Sequence, residues 1–215
     1  KKGTQFRTEN VKEVYELQQL LGEYQYSLMQ GSIWKGHQGS AQGDSEPVAI
    51  KMIQKKDLSP EDLKNILTEI KVSGNVDLKP QDRAPQHSQA IEVFESPTSF
   101  FIVFELMEGG ELFDRICEKE SYSEREAAAT LKPVVDAIKF CHSQGVVHRD
   151  IKVGQDDDAA ENLLYFEETD NSIVKVTDFG MAKVLDNNTQ LMSTVCGTPA
   201  YLAPEVLLNQ KYDCS

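Results

Sequence analysis

Two short motifs in the second half of the chain carry the residues best suited to chemistry. Residues 148–152 are His-Arg-Asp-Ile-Lys, and residues 178–180 are Asp-Phe-Gly. In the motif His-Arg-Asp-x-x-x-x-Asn, the Asp carboxylate receives a hydroxyl proton, and the Asn amide that closes the motif binds magnesium. The Asp of Asp-Phe-Gly binds the same metal. The two motifs therefore predict phosphoryl transfer, with Asp150 as the proton acceptor and Lys152 neutralising charge on the moving phosphoryl group.

The spacing of the first motif is unusual. Asn162 follows Asp150 by 162 − 150 = 12 positions where the motif has five, so 12 − 5 = 7 additional residues lie between them. Residues 156–158 of this stretch are three aspartates, whose negative charge opposes phosphate binding unless it is screened. The pattern does not fit an EF-hand calcium loop, which needs a Gly at its sixth position. We predict a solvated acidic bulge, with Asn162 and Asp178 still serving as magnesium ligands.

Composition narrows the possible partners. The 215 residues carry a formal net charge of −13 and a pI near 4.8. Nucleic acid and anionic membranes require a basic surface, so neither is expected as a main partner. The acidity contributes mainly to solubility, and a second interpretation is attraction for basic peptides. No apolar run approaches the ~20 residues that span a bilayer.

The cysteines and the chain ends carry further expectations. Four widely separated cysteines predict neither a zinc site nor a disulfide framework, which favours a cytoplasmic or nuclear location. The chain begins at Lys1 and stops ten residues after Glu205, so we expect a fragment of a longer polypeptide or a truncated gene product.

A strand-rich half precedes a helix-rich half, and the boundary is predicted at residues 106–110. A loop is predicted over residues 73–90, and a hairpin loop over residues 36–47. Apolar runs predict strands over residues 15–21, 31–36, 47–53, 100–106 and 173–177. The first of these strands is predicted to end in a loop at Gly22.

Three helices are predicted. One begins at Ser59 and carries apolar side chains on one face at Leu63, Ile66, Leu67 and Ile70. The second spans residues 111–118. The third opens with a capping box, Ser123-Glu-Arg-Glu, and runs towards His142.

Two further motifs extend the chemistry. Lys51, in Val-Ala-Ile-Lys, and Glu69, eighteen residues later on the first helix, can form the Lys–Glu pair that orients the phosphates of a nucleotide. Taken separately, Lys51 could be an ordinary edge-strand lysine and Glu69 part of a solvated helix face. Residues 196–205, Cys-Gly-Thr-Pro-Ala-Tyr-Leu-Ala-Pro-Glu, close the segment that begins at Asp178. Four motifs in this order leave chance a negligible explanation.

The chain resembles eukaryotic Ser/Thr protein kinases of the calcium/calmodulin-dependent group, a style shared by calcium-dependent and checkpoint-type kinases. Residues 109–116, 148–152 and 196–207 carry the resemblance, which covers about residues 15–215. It implies an α+β, two-lobed fold. The N-terminal lobe, residues 1–106, would hold a small antiparallel sheet and one helix, and residues 107–215 would form an incomplete, mostly helical C-terminal lobe.

The resemblance also implies ATP and Mg²⁺ as cofactors and protein Ser/Thr hydroxyls as acceptors. Glu105 and Met107 would bind adenine through their backbone, with Phe104 behind them. The adenine ring would lie between Ile33, Ala49 and Leu164. Glu111 would reach the ribose and, in relatives that prefer basic substrates, an arginine of the substrate.

Three residues are implied in substrate choice and activation. Thr198, together with Lys152, matches Ser/Thr rather than Tyr kinases. Thr194 resembles an activating phosphorylation site whose phosphate would pair with Arg149. The alternative for Thr194 is an ordinary loop hydroxyl.

The glycine-rich loop departs from the family pattern Gly-x-Gly-x-x-Gly. Gly22 and Gly31 can serve as its outer glycines, but the middle one is missing and Tyr24 and Tyr26 lie between them. This departure and the catalytic-loop insertion leave two hypotheses open: an active Ser/Thr kinase, or a kinase-like nucleotide-binding module (a pseudokinase) without efficient turnover. A purely structural acidic scaffold is a third, less favoured one.

Overall fold

The strand-forming residues of the first half build one five-stranded antiparallel sheet in the order β1-β2-β3-β5-β4. Described residues up to Leu106 form a first compact unit, and those from Met107 onward form a second. A short helix, α1 (Val11–Val14), precedes the sheet. The strands are β1 (Tyr15–Gln25), β2 (Ile33–Ala41), β3 (Pro47–Gln54), β4 (Ala90–Glu95) and β5 (Ser99–Glu105). This computed structural model describes residues 6–25, 33–41, 47–56, 58–60, 63–64, 66–67, 70, 88, 90–119, 121–154, 161–185, 191–197 and 199–213.

The sheet confirms the predicted strands and corrects their ends. β1 continues through Gly22 to Gln25, although we predicted that the strand would end at Gly22. β2 extends to Ala41 and covers half of the predicted hairpin loop at residues 36–47, because His37, Gln38 and their neighbours pair with β3. Backbone pairing with β3 overrides the Gly, Ser and Gln content that predicted a loop.

Strand β4 is absent from the sequence-based prediction. Ala90, assigned there to the loop over residues 73–90, begins this strand, and residues 71–87 lie outside the described part of the chain. Five pairings with β5 form the strand, with a register shift between Ala90 and Glu92. Its outer edge is covered in turn by Arg7, whose backbone exchanges hydrogen bonds with Val93 and Glu95 at 2.9 Å each.

One apolar cluster joins the sheet to the helix that begins near Ser59. Ile66 and Ile70 of this helix are buried against strand residues that include Phe100 and Ile102. Leu63 and Leu67, predicted on the same apolar face, are 39% and 42% exposed. The buried stripe of this helix is therefore narrower than the spacing predicted, and it rests on the two isoleucines.

The second unit contains helices α2 (Leu112–Lys119) and α3 (Glu124–Ser143) and a short helix α4 (Pro204–Leu207). Its two small antiparallel pairs are β6 (Val146–Val147) with β9 (Lys183–Val184), and β7 (Leu163–Tyr165) with β8 (Val174–Val176). The predicted α+β class is confirmed. None of the helices in the described ranges has the length and apolar content that crossing a membrane requires.

Helix α3 begins where the capping box predicted. The Ser123 hydroxyl accepts the Glu126 backbone N–H, and the Glu126 carboxylate accepts the Ser123 backbone N–H at 2.9 Å. These two bonds satisfy donors that a helix start otherwise leaves free. Val134, Ala137 and Cys141 form the buried stripe of the helix, which supports the strands of the second unit.

Ser123→Ala removes this cap, and we expect it to lower the free energy of unfolding by about 1 kcal/mol. Chemical denaturation monitored by far-UV circular dichroism measures the change. Ser121→Ala, the same chemical change two residues before the cap, is the matched control. An equal loss in both variants would contradict the capping role.

Candidate functional site

The hairpin of β7 and β8 places the two predicted magnesium ligands at one end. Leu163 pairs with Val176, so Asn162, just before β7, and Asp178, just after β8, lie at the same end of the hairpin. The Thr177 backbone N–H donates to the Asn162 carbonyl at 2.9 Å. The antiparallel register therefore joins residues that the sequence separates by 178 − 162 = 16 positions.

The side chain of Asn162 closes the interrupted motif. Its Nδ2 donates to the Asp150 carbonyl, and its Oδ1 accepts the Lys152 backbone N–H at 3.1 Å. Asn162 is 2% exposed, so both bonds are shielded from water. The additional chain, of which residues 155–160 lie outside the described part, leaves Asn162 in direct contact with the Asp150–Lys152 backbone. The predicted bulge of residues 156–158 falls in that undescribed stretch.

His148 joins the two motifs from the inside. Its ring is buried, its Nε2 bonds the Thr177 carbonyl at 3.0 Å, and its Nδ1 accepts the Asp150 backbone N–H at 3.3 Å. Phe179 contacts the ring edge-on, with centroids 4.7 Å apart. Burial lowers the pKa of His148, which favours the neutral ring. A neutral ring with its proton on Nε2 satisfies both bonds, so His148 orients Asp150 rather than transferring a proton itself.

Two residues of the motifs have left-handed backbone conformations. Arg149 has φ +71° and Asp178 has φ +57°. Such conformations cost free energy in non-glycine residues and require support from their surroundings. The Arg149 Nε donates to the Met181 carbonyl at 2.6 Å, and the Asp178 carboxylate accepts the Gly180 backbone N–H at 3.4 Å. The catalytic motif and the Asp-Phe-Gly segment are thus bonded to each other at two points, through His148 and through Arg149.

Glu161 is a site residue that the sequence analysis missed. It is 4% exposed; its Oε2 accepts the Phe113 backbone N–H at 2.8 Å, and its Oε1 has no hydrogen-bond partner among the described residues. Burial, followed by the nearby acids Glu111 and Asp114, raises the pKa of Glu161 to about 7, while Lys152 lowers it. The position directly before Asn162 is the one signal in the sequence that singles this acid out.

The segment before α2 lines the other side of this hairpin. Glu108 and Gly109 donate backbone N–H groups to the carbonyls of Phe166 and Tyr165, and Glu111 forms a β-bridge with Leu164. A Cβ on Gly109 would lie 2.2 Å from the Glu167 carbonyl oxygen, so only glycine fits this approach. Glu111 and Leu164, both predicted to contact the nucleotide, are therefore neighbours. Met107 lies at the start of this unit.

The remaining nucleotide residues belong to the first unit. Lys51 lies on β3, is 7% exposed as a residue, and pairs with Ile102 of β5. Ala49 pairs with Phe104, and Glu105 ends β5. Ile33 begins β2 and Gly22 lies within β1 opposite Gly36. Glu69, Gly31, Thr198 and the side chain of Ile33 fall outside the described part of the chain, so their roles stay predictions.

The similarity of this chain to known proteins extends over most of its length. A family model described as the protein kinase domain matches residues 19–215. A calcium/calmodulin-dependent protein kinase type 1 from Macrobrachium nipponense is 37% identical over 94% of this chain and 52% of that protein. Myosin light chain kinase A from Dictyostelium discoideum is 36% identical over 94% of this chain and 62% of its own length.

A third relative is similar over a shorter stretch. The human calcium/calmodulin-dependent protein kinase type IV is 41% identical over 79% of this chain and 32% of its own length. The chain spans about half the length of the first of these relatives. The group resemblance predicted from the motifs is confirmed.

Glu161→Gln tests the buried carboxyl through the pH dependence of stability. The native pKa of about 7 lies above the ordinary value of 4.5, so the native state binds a proton between these pH values that the unfolded chain has released. The stability of the wild type then falls as pH rises through this window, and the loss is complete above it. We expect Gln to stabilise the protein at pH 8, by up to about 3 kcal/mol, and to have little effect near pH 4.5.

Thermal or chemical denaturation at both pH values measures this difference. Glu168→Gln, at an exposed acid of the same unit, is the matched control and should change stability by less than about 0.5 kcal/mol. The same gain for Glu161→Gln at both pH values would contradict a buried, proton-binding carboxyl.

Proposed function

Because the chain belongs to the protein kinase domain family, we propose that it transfers the γ-phosphate of ATP to Ser or Thr hydroxyls of protein substrates. One observation carries this proposal: the Asn162 side chain bonds the Asp150–Lys152 backbone despite the seven additional residues. The backbone segments that carry Asp150, Lys152 and Asp178 are therefore hydrogen-bonded to one another in the second unit, which supports the proposal.

Asp150 and Lys152 do the chemistry in this proposal. The Asp150 carboxylate accepts the proton that a substrate hydroxyl loses as its oxygen attacks phosphorus. Lys152 is 7% exposed, and in such a shielded position its ammonium group stabilises negative charge that builds up during transfer. His148 holds the Asp150 backbone, which limits the positions that the carboxylate can take.

The donor set around Asn162 and Asp178 suits Mg²⁺. An amide oxygen and a carboxylate are the hard oxygen ligands that this ion prefers, and water and substrate phosphates usually complete its shell. Among the described residues no group of three His, Cys, Asp or Glu side chains could hold a metal by itself. Bound there, Mg²⁺ would neutralise phosphate charge.

The remaining assignments of this proposal concern ATP binding. Lys51, with Glu69, would orient the α- and β-phosphates. The segment at residues 105–107 would bind adenine through its backbone. Further contacts to ring, ribose and phosphates are proposed for Gly22, Gly31, Ile33, Ala49, Glu111 and Leu164.

Basic peptides are the proposed substrates. Glu111 and Glu161 lie together, with the Glu161 backbone N–H donating to the Glu111 carboxylate at 3.4 Å. A substrate arginine would give the buried Glu161 the hydrogen-bond partner that its Oε1 lacks among the described residues. The net charge of −13 further favours basic partners over acidic ones.

The alternative is a nucleotide-binding module without efficient turnover. The missing middle glycine of the nucleotide loop favours it, because larger residues limit how closely the backbone can approach the phosphates. Both functions predict binding of Mg-ATP, so binding alone does not distinguish them.

Asp150→Asn separates the two. We expect the wild type to incorporate phosphate from radiolabelled ATP into a basic Ser/Thr peptide, and the variant to be slower by about 10²-fold or more, because the proton acceptor is lost. Asp136→Asn, at a residue on the surface of α3 that is ion-paired with Lys132, is the matched control and should keep full activity.

Thermal stabilisation by Mg-ATP is measured in parallel, since a bound ligand raises the melting temperature whether or not it reacts. Stabilisation of the wild type without phosphate incorporation would support the binding module. Incorporation that is the same in Asp150→Asn would contradict the catalytic assignment.

A further inference from the structure

Residues 191–197, called the closing segment below, are hydrogen-bonded to Tyr212, which lies farther along the chain. The Met192 backbone N–H donates to the Tyr212 carbonyl at 2.6 Å, and the Tyr212 N–H donates to the Met192 carbonyl at 2.9 Å. The Met192 side chain is fully buried, with 0% exposure. This β-bridge therefore fixes the position of Met192 within the closing segment.

The phenol of Tyr212 adds a second attachment. Its hydroxyl donates to the Thr194 carbonyl at 2.7 Å, whereas the Thr194 side chain itself is exposed. One tyrosine thus holds two alternate residues of the segment, one through its backbone and one through its side chain. The Thr194 hydroxyl remains open to solvent in this arrangement.

The same phenol lies beside Arg149 and Cys196. The pKa of Tyr212 is raised, first by burial and then by the Cys196 thiol, while the Arg149 guanidinium lowers it. Arg149 is also bonded through Nε to the Met181 carbonyl. Tyr212 therefore lies beside the arginine of the catalytic motif with which a phosphate on Thr194 is expected to pair.

Gly197 brings the closing segment against the catalytic loop from the other side. Its φ is +116°, and a Cβ there would lie 2.9 Å from the Arg149 carbonyl oxygen. The segment between Met192 and Gly197 is thus bonded to Tyr212 at one end and lies close to the backbone of Arg149 at the other.

We propose that Tyr212 is a positioning residue that holds the closing segment beside Arg149 when Thr194 is unphosphorylated. The bridge to Met192 sets the register, and the hydroxyl bond to the Thr194 carbonyl keeps the residues that follow in place. A phosphate on Thr194, paired with Arg149, would make this hydroxyl bond dispensable. The catalytic consequence rests on the proposed kinase function, but the positioning itself does not.

Tyr212→Phe tests the positioning, because it removes the hydroxyl bond and keeps the ring and the backbone bridge. We expect amide hydrogen exchange of residues 192–197 to become faster by about fivefold, as the loss of one hydrogen bond allows more frequent local opening. Tyr15→Phe is the matched control, since it removes a tyrosine hydroxyl bond to Glu92 (3.1 Å) in the first unit. Unchanged exchange at residues 192–197 in Tyr212→Phe would overturn the proposal, whatever the activity.

The catalytic consequence is measured on a basic Ser/Thr peptide with Thr194 verified by mass spectrometry as unphosphorylated or phosphorylated. We expect Tyr212→Phe to lower kcat/KM about fivefold in the unphosphorylated protein and less than about twofold in the phosphorylated one. An equal loss of kcat/KM in both forms would overturn the claim that a phosphate on Thr194 makes the Tyr212 hydroxyl bond dispensable. A wild type without activity, combined with faster exchange in Tyr212→Phe, would overturn the kinase function and leave the positioning role standing.

Discussion

The arrangement of the second unit depends on the buried side-chain amide of Asn162. Its two bonds, to the Asp150 carbonyl and the Lys152 N–H, tie the far end of a long insertion to the start of the catalytic motif. An amide can do this because it is donor and acceptor at once, and burial makes it costly to leave either group unpaired. Loop length itself opposes such closure only weakly, since each doubling costs about 0.6 kcal/mol. Additional residues can therefore be inserted between Lys152 and Asn162 at a low cost in free energy, while the bonds of Asn162 are kept.

Two buried polar side chains near Asn162 differ in how completely they are hydrogen-bonded. His148 is fully paired, because a neutral ring matches one acceptor and one donor of the two motifs. Glu161 is the opposite case: one oxygen is bonded to the Phe113 N–H, and the other has no hydrogen-bond partner in the described part of the chain. An unsatisfied buried carboxyl destabilises the fold. A buried group of this kind is typical of a binding site in which the ligand supplies the missing hydrogen bond. For this reason the proposed function assigns Glu161 to substrate binding.

Local signals in the sequence predicted much of this structure, and contacts between distant residues account for the rest. The Ser123 capping box and the apolar run that predicted a strand at residues 173–177 are local signals, and both elements are confirmed, the strand as Val174–Val176. The extension of β2 to Ala41 depends on its pairing with β3, which overrides a composition typical of loops. Tyr212 could not be singled out, because its partners Met192 and Thr194 lie about twenty residues earlier. The placement of Asn162 was the open question in the sequence, and only the fold answers it.

The most direct test of the central claim is the turnover of a chain from which residues 154–160 are deleted. The deletion leaves Asp150-Ile-Lys-Val-Glu-Asn and restores the five-residue spacing of the motif. Since Asn162 already bonds Asp150 and Lys152 in the intact chain, kcat for a basic Ser/Thr peptide should stay within about twofold of the wild-type value. A kcat that rises by more than about tenfold, or activity that exists only after the deletion, would contradict the claim that the insertion leaves the catalytic framework in place.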